Sequence, residues 1–225
     1  MSNQDQSWGI LPTQQDEDNT RAHAVSDPAG YHAGIAGREL HWFDGNTQSW
    51  ISQTDTGEWA GWHDRDASSA HADASWQPWS HPLDDSLAPY YRWFVDGQTN
   101  ACFNLIDRHV LSGRGDQIAI VFEGDRWDPS KNDGRGGPVH EQRVTYRELL
   151  VEVALRTRVL KQADLSCGDR VALNLPNVLE QIFYILACQR LGVIYTPVFG
   201  GFSAKTLSDR IHDAGAKVVI TADGG

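Results

Sequence analysis

The sequence has few cysteines, no long apolar run and, over its first hundred residues, little positive charge. Cys102, Cys167 and Cys188 are odd in number and lack CxxC spacing, so neither a disulfide framework nor a zinc site is expected. The longest apolar run, around residues 182–188, falls far short of a bilayer span, and residues 1–11 lack the basic, apolar-cored pattern of an export leader. A cytoplasmic protein with reduced thiols and no membrane segment is the expectation. Residues 1–100 carry 4 Lys/Arg against 15 Asp/Glu, whereas residues 101–225 carry 15 of each. The formal charge of −11 therefore belongs to the first part, which argues against a nucleic-acid partner there. Neither GxGxxG nor GxxxxGKS/T occurs, which removes the dinucleotide fingerprint and the Walker loop.

What is present is enough for a core: 225 residues, 40% of them hydrophobic. Residues 1–30 are polar, acidic and without helical or strand period, and are expected as a disordered or loosely attached arm. Residues 31–98 are crowded with tryptophan (Trp42, Trp50, Trp59, Trp62, Trp76, Trp79, Trp93) and broken by Gly, Pro and Asp. Short elements packed by aromatic rings are expected there, with carbohydrate binding as the rival use of the tryptophans.

Regularity begins at "FNLIDRHVL", a helical turn or two, followed by the strand "QIAIVFEG" and its hairpin partner "HEQRVTY" across the glycine-rich "DRWDPSKNDGRGGP". Thr145 and Glu148 form a capping box that opens a helix, with Leu149, Val153, Arg156 and Leu160 at helical spacing and Gly168 at its exit. "RVALNL" then reads as a strand. A buried helix follows, started by Pro176 and Asn177 and ended by Gly192. "VIYTPV", a helix through Leu207 and Ile211, Gly215 and the strand "KVVIT" complete a βαβαβ pattern. The fold class is α/β with a parallel sheet.

In such a sheet ligands bind outside the carboxyl ends of the strands. Two of these ends carry glycine pairs, Gly200-Gly201 and Gly224-Gly225, and Ser203 as N-cap would aim free N–H groups at the first of them. A phosphate could be held there, although a tight strand-to-helix turn needs glycine for steric reasons alone. "GRGG" at residues 134–137 reads as a loop tip in preference to an anion-binding nest, and Arg114-Gly115-Asp116 as a chance adhesion tripeptide. His109 and Asp107, two apart on a helix, do not face each other, so a surface or capping role is expected. No nucleophile, base and orienter can be assembled, so no catalytic residue and no metal site is assigned.

"YYRWFVDGQTNACFNLIDRH", "VTYRELL", "GDRVALNLPN" and "VFGGFSAKTLSDRIHDAGAKVVITADGG" together resemble the amino-terminal part of AMP-forming acetyl-CoA and propionyl-CoA synthetases, members of the acyl-adenylate-forming superfamily. The resemblance runs from about Tyr31 to the last residue, and "ELHWF" at residues 39–43 resembles a landmark of the family's cap. It implies an acid–thiol ligase. A short-chain carboxylate (acetate, propionate or 3-hydroxypropionate) attacks ATP to give an acyl-adenylate and pyrophosphate, and the thiol of coenzyme A then displaces AMP to give the thioester. The implied cofactors are ATP, Mg and coenzyme A, with Phe199, Gly200 and Gly201 as candidate coenzyme A contacts.

The implied division is a cap over residues 31–115 and the first part of an AMP-binding domain over residues 116–225. The family's arginine-bearing segment after "TADGG", its Ser/Thr/Gly-rich phosphate loop with a lysine, and its hinged lid do not occur in the sequence. The expectation is an amino-terminal fragment, inactive alone, whose partner is the remainder of the same polypeptide. The glycine-rich insert and the cap spacing lean toward propionyl-CoA synthases. The rival is a non-catalytic interaction module.

Overall fold

The computed structural model describes residues 13–46, 48–53, 59–61 and 76–223. Two compact units share the chain, Met1–Thr99 and Asn100–Gly225. Residues 100–115, which the sequence groups with the cap, pack into the second unit because Cys102 and Ile106 are fully buried in its core.

The first unit opens with two helices, α1 (Gln14–Ser26) and α2 (Pro28–Glu39). Helix α1 lies where no helical period is visible, and the reason is that none of its residues is buried. Its signals are at its ends. Thr13 accepts from the Asp16 N–H, and Asp27 closes α1 and caps α2 by accepting from Gly30, with Pro28 at the first position of α2. The rest of the expected arm, residues 1–12, lies outside the described residues.

Three antiparallel strands follow, β1 (Trp42–Asp44), β2 (Ser49–Gln53) and β3 (Trp59–Gly61), then the hairpin β4 (His81–Asp84) and β5 (Arg92–Val95). Aromatic rings pack this unit. Trp42, Trp79 and Phe94 form a triangle with centroids 4.8, 5.3 and 5.0 Å apart, and buried Trp42 donates its indole N–H to the Ala36 carbonyl at 3.0 Å. Gly97 lies against the same indole, where a Cβ would come within 2.8 Å of the ring. Trp62 and the Trp59 side chain are outside the described residues.

The second unit begins with a helical stretch containing two wide, π-type turns, Phe103–Asp107 and Val110–Arg114. Strands β6 (Ile118–Glu123) and β9 (Glu141–Thr145) pair antiparallel, from Ile118 opposite Thr145 to Glu123 opposite Glu141. The glycine-rich insert between them is a small hairpin: β7 (Trp127–Asp128) pairs with β8 (Gly137–Pro138) around the irregular turn α3 (Lys131–Gly134). The Arg135 and Gly136 N–H groups bond to the Asn132 and Lys131 carbonyls, so they are not aimed at an anion.

Helix α4 (Tyr146–Gln162) starts with the capping box, Thr145 accepting from the Glu148 N–H while the Glu148 carboxylate accepts from the Thr145 N–H at 2.8 Å. Its buried face is Leu149, Val153, Thr157 and Leu160. Arg156 stands beside that face, with its guanidinium 5.5 Å from the Phe183 ring centroid and paired with Glu152 at 2.6 Å. The helix ends at Gln162, six residues before Gly168, which instead serves a later turn at φ +85°.

The remaining elements are β10 (Arg170–Asn174), α5 (Leu179–Leu191), β11 (Ile194–Pro197), α6 (Ala204–Ala214) and β12 (Val218–Thr221). Helix α5 starts two residues later than Pro176-Asn177 suggests, with Val178 at its N-cap and no side-chain cap bond. Gly192 and Gly215 end α5 and α6 in the left-handed conformation. The strands pair in parallel in the order β11-β10-β12. Val171, Ala172 and Leu173 of the central strand are fully buried, and they join Val153, Leu160, Phe183, Ala187 and Cys188 in the core. Each fully buried large aliphatic side chain contributes about 1.5–3 kcal/mol.

Candidate functional site

The sheet order fixes where a ligand can meet the chain. From β10 the chain crosses to β11 on one side, then passes back over β10 to β12 on the other. Right-handed crossovers put α5 and α6 on opposite faces of such a sheet, and a crevice opens beyond the carboxyl ends where the winding reverses. The segments leaving β10 and β11 meet at that edge. The Val198 N–H donates to the Leu173 carbonyl at 2.8 Å, which holds the start of the turn after β11 against the end of β10.

That turn carries Phe199, Gly200 and Gly201, and the two glycines differ. A Cβ on Gly201 would lie 2.6 Å from Cε1 of Phe199, so the exposed ring keeps its place over the turn only while residue 201 is glycine. A Cβ on Gly200 would meet nothing nearer than the Leu175 carbonyl oxygen at 4.0 Å. Nothing in the described chain requires glycine at that position, and the missing side chain leaves open surface. The Phe202 N–H closes the turn on the Phe199 carbonyl at 3.1 Å. Ser203 then caps α6 by accepting from the Thr206 N–H, as the sequence suggests.

Phe199 is 71% exposed and Phe202 43%. Their rings meet edge to face at 5.7 Å and 79°, and the guanidinium of Arg210 lies 4.9 Å from the Phe202 centroid. Sequence reasoning missed Phe202 and Arg210. Two turns of helix separate them from each other's notice, and only the cap at Ser203, which fixes where α6 begins, could have placed them together. The second glycine pair, Gly224-Gly225, lies outside the described residues.

The other candidates have structural employment. Asp107 does not orient His109; it forms a two-pronged ion pair with Arg190, at 3.1 and 2.5 Å. His109 is not a surface residue but is 7% exposed, with its ring 4.6 Å from that of Tyr146 and bonded to Arg114. Burial, reinforced by Arg114 and Arg108, pushes its imidazole down to about 4. Asp116 reaches Arg147 at 3.3 Å on the surface. A groove of about 480 Å³ runs between β9, α4 and α5, but its charged lining includes the Arg156–Glu152 pair and it shares no residue with the Phe199 turn. Among the described residues no group of three or more His, Cys, Asp or Glu could hold a metal ion, and no helix is long and apolar enough to cross a membrane.

The comparisons agree on kinship. Residues 68–105 match the family model described as acetyl-coenzyme A synthetase N-terminus, and residues 108–224 match that of AMP-binding enzyme. The acetyl-coenzyme A synthetase of Methylobacillus flagellatus is 46% identical over 160 residues, 71% of this chain and 22% of that protein. The Mycobacterium bovis protein of the same name is 45% identical over 152 residues (67% and 22%), and that of Burkholderia lata 43% over 147 (65% and 20%). The matched part spans about a fifth of the length of these curated relatives. With more than half of its residues inside the second of the two models, the chain belongs to the AMP-binding enzyme family.

Proposed function

We propose that this chain is the amino-terminal part of an acyl-CoA synthetase that activates a short-chain carboxylate with ATP and passes the acyl group to coenzyme A. The observation that carries the reading is the succession of the two family matches, synthetase N-terminus and then AMP-binding enzyme, in one chain. In this reading residues 1–30 are an arm and residues 31–115 the cap, whose last helical stretch packs into the adenylating unit. Residues 116–225 are the first part of the AMP-binding domain.

The turn at Phe199, Gly200 and Gly201 is the contact for coenzyme A. Support comes from its place at the carboxyl edge of the parallel strands, the exposed Phe199 ring and the open surface over Gly200. Gly200 lets a ligand approach the backbone, and Phe199 offers a flat apolar face. ATP and Mg are held by the remainder of the polypeptide, so this chain by itself performs neither half of the reaction. Acetate is the first acid to try, and the glycine-rich hairpin between β6 and β9 extends the trial to propionate and 3-hydroxypropionate, the substrates of a propionyl-CoA synthase head.

The test is carboxylate-dependent ATP–pyrophosphate exchange and thioester formation, measured on the full-length enzyme and on residues 1–225. Exchange by the full-length enzyme with one of the three acids, and none by residues 1–225, is the expected result. Exchange by residues 1–225 alone would overturn the division of labour, and none by the full-length enzyme with any of the three would overturn the activity.

A further inference from the structure

Phe199 poses a physical problem. A phenyl ring that is 71% exposed on a turn has little packing to fix its direction, yet a stacking surface works only if its face is presented in one orientation. Two features restrain it. Its own turn folds the ring over Gly201, and the Phe202 ring meets it edge to face at 5.7 Å. Phe202 is itself 43% exposed and needs an anchor of its own.

Arg210 supplies one. Its guanidinium carbon lies 4.9 Å from the Phe202 centroid, within cation–π range, and among the described residues no carboxylate ion pair claims it. Arg210 sits well inside α6, a helix fixed at one end by the Ser203 cap and at the other by left-handed Gly215. A cation on a helix capped at both ends thus holds one ring, and that ring holds the next. The sequence Arg210, Phe202, Phe199 runs from helix to open surface.

The geometry points to Arg210 as a positioning residue that, through Phe202, fixes the exposed face of Phe199 for stacking against the one flat ring system of coenzyme A, its purine. The inference rests on the coenzyme A reading of the Phe199 turn. Arg210 touches no ligand in this scheme. Its effect is confined to how well the coenzyme is bound, and it is transmitted only while Phe202 is aromatic.

The experiment is steady-state kinetics of the full-length enzyme with coenzyme A varied, for Phe199→Ala, Arg210→Gln, Arg210→Lys, Phe202→Leu and the Arg210→Gln/Phe202→Leu pair. Loss of one exposed cation–π contact corresponds to about a two- to fivefold change. Arg210→Gln is expected to raise KM for coenzyme A by that factor with kcat at saturating coenzyme A held, and Arg210→Lys to recover most of the loss. In the Phe202→Leu background Arg210→Gln should add almost nothing.

An equal rise in both backgrounds would overturn the inference, because the guanidinium would then act on the coenzyme directly. A rise with Phe199→Ala but none with Arg210→Gln would also overturn it while leaving the coenzyme A turn in place. If Phe199→Ala itself leaves that KM unchanged, the turn is not the coenzyme site and the inference falls with it.

Discussion

Replacing Asp107 with alanine isolates the interaction that ties the wide helical stretch to the end of α5. The Asp107 carboxylate accepts two bonds from Arg190, at 3.1 and 2.5 Å, and the two side chains are only 17% and 26% exposed. The surroundings raise the stakes. Asn100 donates its side-chain amide to the Gln189 and Arg190 carbonyls, so the last turn of α5 is capped from the same stretch of chain. Cys102, fully buried next to Arg190, has its thiol pushed up to about 11 by burial and so offers the guanidinium no counter-charge.

Without Asp107 the guanidinium is left partly buried and unneutralised. Breaking a fully buried pair costs about 3–5 kcal/mol and an exposed one about 0–1, so a half-buried, two-pronged pair at this helix end should cost about 2–3 kcal/mol. Urea unfolding followed by far-ultraviolet circular dichroism measures it. The companion variant, Asp107→Leu with Arg190→Met, removes both charges and should recover much of the loss, giving a strong coupling in the cycle. A cost below about 0.5 kcal/mol for Asp107→Ala, or a double variant as unstable as the sum of the singles, would refute the argument that burial gives this pair its weight.

Three further outcomes follow from the same structure. His109 titrates at 6.5 when unfolded and near 4 when folded, so between these values the unfolded state holds more protons. Its contribution is fully present above pH 6.5 and is lost as pH falls to 4, a swing of about 3 kcal/mol that His109→Phe should remove from the pH dependence of urea unfolding. Thr145→Ala removes the hydroxyl that accepts from the Glu148 N–H, while the backbone N–H of residue 145 still donates to the Glu148 carboxylate, and should lower stability by about 1 kcal/mol, read as a shift in urea midpoint. Gly200→Ala meets only open space and should leave the midpoint unmoved, whereas Gly201→Ala must displace the Phe199 ring; both should raise KM for coenzyme A in the full-length enzyme.

Legibility in the sequence follows the strength of the local signal. The capping box at Thr145, the glycine stops at Gly192 and Gly215 and the apolar runs of β10, β11 and β12 each encode their own boundary, and those boundaries stand where the sequence puts them. Helix α1 has no such pattern, because a helix that buries nothing needs no apolar stripe and shows only its caps. Arg156 looked like a flaw in the core face of α4. The core position is Thr157, whose hydroxyl donates to the Val153 carbonyl at 2.7 Å and so spends its polarity inside the helix.

The site was legible only in part, and the reason is three-dimensional. That a glycine pair follows a strand says where a ligand could come, but not which glycine is there for the ligand. The ring of Phe199, folded over Gly201, separates the two, because a side chain at residue 201 would push that ring aside and one at residue 200 would not. In the same way His109 and Asp107, two apart in sequence and unlike in chemistry, invite a pairing that the structure does not make: one side chain turns to Tyr146 and Arg114, the other to Arg190. Polar residues recruited into packing are the false positives of a sequence search. The residue to pursue is therefore the one whose geometry the chain's own packing does not explain, and at this sheet edge that is Gly200.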